Sequence, residues 1–457
     1  MSFAKHVAHK PSGVSWMGEV PVHWNVRSLK SIVSTPITDG PHETPVFLDE
    51  GVPFVSAEAV SGGFINFDKI RGHISIEDNK RYSLKYKPEL HDVYIVKSGA
   101  TTGVSAIVDG RTDFNIWSPL AAIRCDRQCA VPQFVHFFVQ SRNFQEAVSL
   151  HWRFGTQQNI GMGVLGDLPV AIPPIPEQTN IAAFLERETV KIDALVAEQE
   201  KLIALLKEKR QALISHAVTK GLDSNVPMKD SGIEWLGQVP VHWTVTPLKW
   251  LVDPDRPIMY GIVLPGPDVG EGIPILKGGN VKPARMNLNE MARTTSEIEA
   301  PYARARLKAG DLVYSIRGSI GDCEIVPKEL EGSNITQDVA RVAVAEGTSA
   351  PWVRWALLST PVREELASGS LGAAVRGVNI FDLKRADLPA PSADEQFQIA
   401  HFLDEETGKI DRLIHEAEHA TDLLQERRSA LISAAVTGKI DVCAKVHSDP
   451  HIRSNCG

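Results

Sequence analysis

Basic side chains recur at matched places in the two halves of this 457-residue chain. Lys85 and Lys87 lie in NKRYSLKYK, and Arg304 and Arg306 lie in PYARARLK, at equal distances ahead of Asp92 and Asp311. If these stretches are strands, alternate residues share one face. Two cations on one face suit phosphate oxygens, and arginine also fits guanine edges. A solvated charge run is the other reading. Lys97 and Arg317 stand beside glycine turns at Gly99 and Gly318 and invite the same chemistry. The amides of Gln157, Gln158 and Asn159 suit adenine edges, and Arg376 and Asn379 suit bases or phosphates. Turn capping accounts for any one of these polar residues equally well.

Catalytic chemistry is harder to find. There is no Walker A string and no [ND]PP[YF] tetrapeptide of the kind amino-methyltransferases use. GMGVLG at 161–166 fits a dinucleotide fingerprint on paper, but the sequence around it predicts no helix opening there, and DLPVAIPPIP follows. His23 and His242 recur beside Trp24 and Trp243 in both halves, which suits a shared structural corner better than an active site. The cysteines number five and are scattered, so they do not read as a disulfide framework. Cys125 and Cys129, with His136 and His151, lack the second cysteine pair a zinc site usually needs. Packed, reduced thiols and no metal are the expectation. A large chain without a catalytic set reads as a recogniser or a scaffold.

The elements that position these residues are duplicated. VPVHW occurs at 20–24 and again at 239–243, inside an ungapped match from Ser12 and Ser231 offset by 219 residues. A second match begins at Glu177 and Glu395, offset by 218. Between these fixed ends the halves diverge but keep Asp92 with Asp311 and Gly99 with Gly318 in register. A duplicated enzyme would keep its central chemistry. A duplicated reader of two different things would vary there.

The segments after Pro176 and Ser392 are helical by pattern. Leu185, Ile192, Leu206 and Leu213 fall on a seven-residue repeat, as do Leu403, Ile410, Leu424 and Leu431. Leu195, Leu202 and Leu413 are assigned to the other seam position, with Val196, Ile203 and Ile414 widening the stripe. Such stripes suit knobs-into-holes packing of two helices on each other. Pro176 suits the first helical position, SADE at 392–395 reads as a capping box, and Gly221 and Gly438 read as stops. The blocks between read as mixed α and β, with short strands such as DVYIV and DLVYSI.

The expected organisation is α+β: mixed α/β domains over 1–175 and 223–390, helical spacers over 176–222 and 391–442, and a disordered tail over 443–457. The helices are expected to pair as an antiparallel coiled coil with pseudo-twofold repetition. The net charge of −8 arises largely after residue 390, where 7 basic face 12 acidic side chains, so the larger blocks are near neutral and charge excludes no partner. No run of 18 apolar residues implies a membrane span, and the N-terminus lacks a signal-peptide stretch, so a cytoplasmic protein is expected.

Together, GVSWMGEVPVHW, GIEWLGQVPVHW, the P-x-x-EQ-x-x-I helix starts and GDLVYSIRGSIG resemble the specificity subunits of type I restriction–modification enzymes, over nearly the entire chain. The resemblance implies two target recognition domains, each reading half of a split sequence in double-stranded DNA. It implies that the helices dock two methyltransferase (M) subunits, with restriction (R) subunits completing the complex. The chain itself would be non-catalytic and without cofactor. S-adenosylmethionine, ATP and magnesium would belong to the partners. A duplicated helical protein-interaction scaffold with no nucleic-acid role is the alternative.

Overall fold

A computed structural model describes residues 4–154, 158–368 and 377–442. It divides into two compact units, Met1–Gln199 with His419–Gly457, and Glu200–Glu418. Each unit therefore contains part of both long helices. Among the described residues no helix is long and apolar enough to cross a membrane.

In the first unit a four-stranded antiparallel sheet runs in the order Ser105–Ile107, Val93–Val96, Leu120–Ile123, Thr38–Asp39. Val93–Val96 is buried along its whole length, as a central strand read from DVYIV requires. A three-stranded sheet places Val52–Val55 between Asn115–Ile116 and His73–Ile74. Helix α1 (Ile76–Ser83) starts at Ser75, whose hydroxyl accepts from the Asp78 amide. Helices α2 (Pro132–Gln140) and α3 (Arg142–Leu150) are two pieces of one apolar stretch, broken at Ser141, which caps α3. Helix α4 (Met162–Asp167) does open at the glycine-rich string, contrary to the sequence reading. It has six residues, and the strand after it, Pro169–Ile172, pairs antiparallel with Asn25–Ser28. The context is therefore not a parallel dinucleotide-binding unit.

The second unit repeats this plan despite its different sequence. Its four-stranded sheet runs Met259–Tyr260, Val339–Val342, Leu312–Ser315, Cys323–Ile325. Its three-stranded sheet places Ile273–Leu276 between Ala292–Thr294 and Asn334–Ile335. After the short α6 (Ser296–Glu299), helices α7 (Ala350–Leu358) and α8 (Thr360–Ser368) break at Ser359, as α2 and α3 break at Ser141. Helix α9 (Ile380–Arg385) stands where α4 stands in the first unit.

Helix α5 spans Ile175–Lys220 and helix α10 spans Ala393–Val436. Pro176 thus falls at the second helical position. Ser392 and Glu395 exchange side-chain and backbone hydrogen bonds, which is a capping box. The repeated corner explains the helix starts. The buried Trp24 donates its indole N–H to Glu177 Oε1 at 3.0 Å, and His23 Nε2 lies 2.9 Å from Glu177 Oε2. Trp243 and His242 both meet Oε1 of Glu395, at 3.2 and 2.9 Å, leaving Oε2 to Ser392. The next residue, Gln178, accepts from the Val131 amide and donates to the carbonyls of Cys129 and Pro173. Gln396 likewise accepts from Ser349 N and donates to Pro391 O.

The same corners receive the opposite helix ends. Gly438, at φ +71°, ends α10 so closely against Pro21 and Trp24 that a Cβ would lie 2.3 Å from Pro21 Cδ. Gly221, at φ +76°, ends α5 with its Cβ position 3.2 Å from the Trp243 ring. Within each unit, then, the start of one helix lies beside the end of the other, and the pair is antiparallel. Two further equivalent bonds tie the blocks to the helices: Arg142 N to Ser433 Oγ at 2.9 Å, and Thr360 N to Ser215 Oγ at 3.2 Å.

The buried strip differs from the sequence assignment in one respect. Leu185, Ile192, Leu403 and Ile410 are buried, and Leu206, Leu213, Leu424 and Leu431 are half-buried. Leu195, Leu202 and Leu413 are 43–50 % exposed. The second seam position is four residues after the first, not three. It holds Thr189, Val196, Ile203, Arg210 and Ala217 on α5, and Thr407, Ile414, Thr421, Arg428 and Ala435 on α10. One residue is about 100° of helix, enough to turn a leucine from the partner to solvent. Arg210 and Arg428 occupy seam positions because each reaches an aspartate on the other helix: Arg210 with Asp411 and Arg428 with Asp193, both at 2.8 Å.

The thiols of Cys125, Cys129 and Cys323 are free, and burial pushes those of Cys125 and Cys323 up to about 12. The expected tail, 443–457, lies outside the described residues.

Candidate nucleic-acid interface

The strand reading of the basic stretches does not hold. NKRYSLKYK begins inside α1 and continues as a turn, because the Ser75 cap and an acidic first turn favour a helix there. PYARARLK is mostly a 3-10 helix, Ala300–Ala305. Shared faces for Lys85 with Lys87, and for Arg304 with Arg306, therefore do not follow from strand alternation.

What the fold brings together is different. Lys85 and Lys97 both bond the buried carboxylate of Asp39, Lys97 at 3.2 Å. Burial works to raise the Asp39 pKa, but the hydrogen bonds and charges of Lys85 and Lys97 outweigh it and hold the carboxyl below its ordinary range. Gln158 joins this place: its carbonyl accepts from Gly99 N at 3.0 Å and from the Thr102 hydroxyl. Two residues on, Ile160 N donates to Lys97 O at 2.8 Å.

The second unit reproduces that backbone bond, with Val378 N donating to Ile316 O at 2.9 Å. Arg317, exposed, is thereby placed beside the segment holding Asn379. The Asn379 side chain accepts from Phe381 N and so caps α9. Gln157 and Arg376 lie outside the described residues. The glycine turn and the end of the polar loop thus meet in each unit, carrying Lys97 and Gln158 in one, Arg317 and Asn379 in the other.

Lys87, Arg304 and Arg306 fall elsewhere. Lys87 is exposed, and its carbonyl accepts from Arg124 near Asp92. Arg306 forms a two-point pair with the buried Glu299, whose carboxyl this bond holds below its usual range. Arg304 is exposed, and its carbonyl accepts from the buried Arg341. Arg306 and Asp311 lie at the start of strand Leu312–Ser315, while Arg317 lies past its end. One strand length separates the two groups.

Sequence reasoning missed one cationic and aromatic surface in the second unit. Trp250 is 71 % exposed, with Lys249 Nζ 5.1 Å from its ring. The turn Leu248–Trp250 packs on α9, where Arg385 lies 4.8 Å from the exposed Phe381 ring. The first unit has Lys30 and Ser31 there, with Lys30 bonded to Asp167. The signal was present as LKWL against LKSI, a tryptophan replacing serine inside an otherwise matched segment. Exposed aromatics beside cations suit stacking and phosphate contact together.

Comparison with known proteins finds several that this chain resembles. A family model described as the type I restriction modification DNA specificity domain matches residues 21–204. The chain is 26 % identical over 344 residues to the type I restriction enzyme EcoBI specificity subunit of Escherichia coli, covering 73 % of this chain and 72 % of that one. It is 20 % identical over 445 residues to the EcoKI specificity subunit of Escherichia coli strain K12, covering 93 % and 90 %. A chain solved in work on complex assembly and conformational transition of the type I R-M system shares the fold, with a TM-score of 0.68 at 15 % identity, over 91 % of this chain and 98 % of that one.

Proposed function

This chain belongs to the specificity subunits of type I restriction–modification systems, and on that premise we propose that it reads a two-part DNA target, one half through each unit. Its family role is recognition, without catalysis of its own. The observation that carries the two-part reading is the shared frame with unlike surfaces. Both units hold the same corner, the same strand order and the same glycine turn. They present the half-buried Gln158, beside a buried Lys97 paired with Asp39, in one case and the exposed Arg317, Asn379 and Trp250 in the other.

We assign base or phosphate contact first to those residues, with the loop residues Gln157 and Arg376 beside them in sequence. Lys85 supports Lys97 through Asp39. We also assign Lys87, Arg304 and Arg306 to the phosphate backbone, Arg306 from its pair with Glu299. We further propose two methyltransferase subunits on the helices and restriction subunits beyond them, in the cytoplasm. S-adenosylmethionine, ATP and magnesium would be bound by those partners and not by this chain.

Genome-wide mapping of methylated adenines, in a host expressing the chain with its partners, tests the proposal. A motif of two short half-sites separated by unread bases is expected. One continuous motif, or methylation unchanged when the chain is omitted, would contradict it.

A further inference from the structure

The repeated corner is not identical in the two units. In both, a histidine and a tryptophan hold the glutamate that starts a long helix. In the first unit a second histidine joins them. His6 Nε2 lies 3.8 Å from Glu177 Oε1, while His23 Nε2 lies 2.9 Å from Glu177 Oε2. The three ligand-type atoms of His6, His23 and Glu177 all lie within 4.8 Å of one another. The position equivalent to His6, at the offset of 219, is Asn225, which is occupied in a turn with Asp223. Among the described residues the second unit therefore keeps only His242 and Glu395.

We propose that His6, His23 and Glu177 bind a divalent transition-metal ion of the zinc class. Two imidazoles and one carboxylate are a ligand set that such an ion takes, with water in the fourth place. Ligand atoms held about 2.0–2.1 Å from one ion stand roughly 3.3 Å apart in a tetrahedron. The 2.9 and 3.8 Å contacts, made to different oxygens of Glu177, lie either side of that value, and an ion would replace the His23–Glu177 hydrogen bond and draw the two imidazoles toward one carboxylate oxygen. The surroundings are those of a supported site. Trp24 fixes the Glu177 carboxylate through its indole N–H, the kind of outer bond that orients a ligand. His6 and Glu177 are largely covered, whereas His23 is about half exposed and leaves a way in for an ion and its water.

The location gives the site a purpose. In the second unit the strand Met228–Asp230 follows α5 by a short run of chain past Gly221. In the first unit the equivalent strand, His9–Pro11, meets the end of α10, more than 400 residues away in sequence. Two hydrogen bonds make that junction: Asp441 N to Ala4 O at 2.8 Å, and His9 Nε2 with Gly438 O at 3.2 Å. A metal at His6, His23 and Glu177 would clamp residues 4–11 onto the corner, where the second unit has a covalent connection instead. The extra histidine occurs in the copy that lacks the peptide link.

Titration of the purified full-length chain with Co²⁺, followed by its ligand-field absorption and competed with Zn²⁺, tests this. One ion per chain is expected, displaced by Zn²⁺. His6→Asn and His6→Gln each leave the His23 and Trp24 bonds to Glu177 in place, and each should weaken binding about 100-fold or more, beyond the 10–100-fold that loss of an outer partner costs. His242→Asn, in the two-ligand corner, should bind as the unaltered chain does. A measurement on the unaltered chain stands independently of these variants: Zn²⁺ should protect His23 from carbethoxylation, read by mass spectrometry. Absence of Co²⁺ absorption, absorption undiminished in both His6 variants, or His23 modified equally with and without Zn²⁺ would overturn the proposal.

Discussion

Arg124 grips Asp92 with two hydrogen bonds, Nε to Oδ1 at 2.8 Å and Nη2 to Oδ2 at 2.7 Å. Asp92 is buried and accepts also from Tyr86 and from the Glu89 amide. In the second unit Arg256 grips the equivalent Asp311 through Nη1 and Nη2, both at 2.6 Å. The acid is fixed, but the arginine comes from a different place in the fold. The acids are buried but each arginine is about one-fifth exposed, so removing the acid leaves a partly solvated charge and unmade hydrogen bonds, at about 1–3 kcal/mol. Asp92→Ala and Asp311→Ala should each lose about that much in urea unfolding. A loss below about 1 kcal/mol in both would show that the pair is not a structural anchor.

The corrected seam makes a sharper test of helix pairing. Leu185→Ala and Leu403→Ala empty fully buried positions and should each cost about 2–5 kcal/mol. Leu195→Ala and Leu413→Ala change exposed positions and should stay within about 0.5 kcal/mol. Chemical denaturation of the four variants distinguishes the observed strip from one running three residues on.

At the corner, Glu177→Ala and Glu395→Ala each strand a tryptophan N–H. The cost of an unmade buried hydrogen bond is about 1–3 kcal/mol. Both variants should unfold earlier in denaturant. Glu177→Gln, which keeps a carbonyl acceptor, should recover part of the loss.

His136 gives the fold a pH response. Burial lowers its pKa to about 4, with the Arg428 charge lowering it further and a backbone hydrogen bond at Ser105 opposing. The unfolded chain binds a proton near 6.5, so between pH 6.5 and 4 it holds more protons than the folded chain. Stability from this group is complete above pH 6.5 and is lost as pH falls toward 4, by up to about 3 kcal/mol. His136→Gln should flatten the stability profile in that window. An identical profile in the variant would remove His136 as the cause.

Arg317→Ala and Trp250→Ala should alter one half of the methylated motif and leave the other half unchanged. If Arg317 meets only phosphate, binding weakens evenly across sequences and the salt slope falls by about 1. Methylation mapping and salt titration of the assembled complex separate these outcomes.

The cation positions show where sequence reading stopped. Lys85 and Lys97 are twelve residues apart, yet Asp39 joins them, and no local pattern announces that aspartate. Lys85 and Lys87 are near neighbours, yet past the end of α1 the Lys85 ammonium bonds Asp39, whereas Lys87 is exposed and its carbonyl accepts from Arg124. Trp250 was visible as a departure inside a matched segment, but its exposure was not.

By itself the sequence determined the duplication, the two long helices, their capping box and glycine ends, and the main strands. Each of these rests on local periodicity or on exact repetition, which a linear string displays. Tertiary structure alone decided which flank of the apolar stripe is covered, because Leu195 and Leu202 are as apolar as their neighbours Val196 and Ile203 and differ only in whether a partner covers them. It alone joined Glu177 to Trp24 and His6, and Asp92 to Arg124. Such contacts depend on where the folded chain returns, and residues far apart in sequence carry no mark of their meeting.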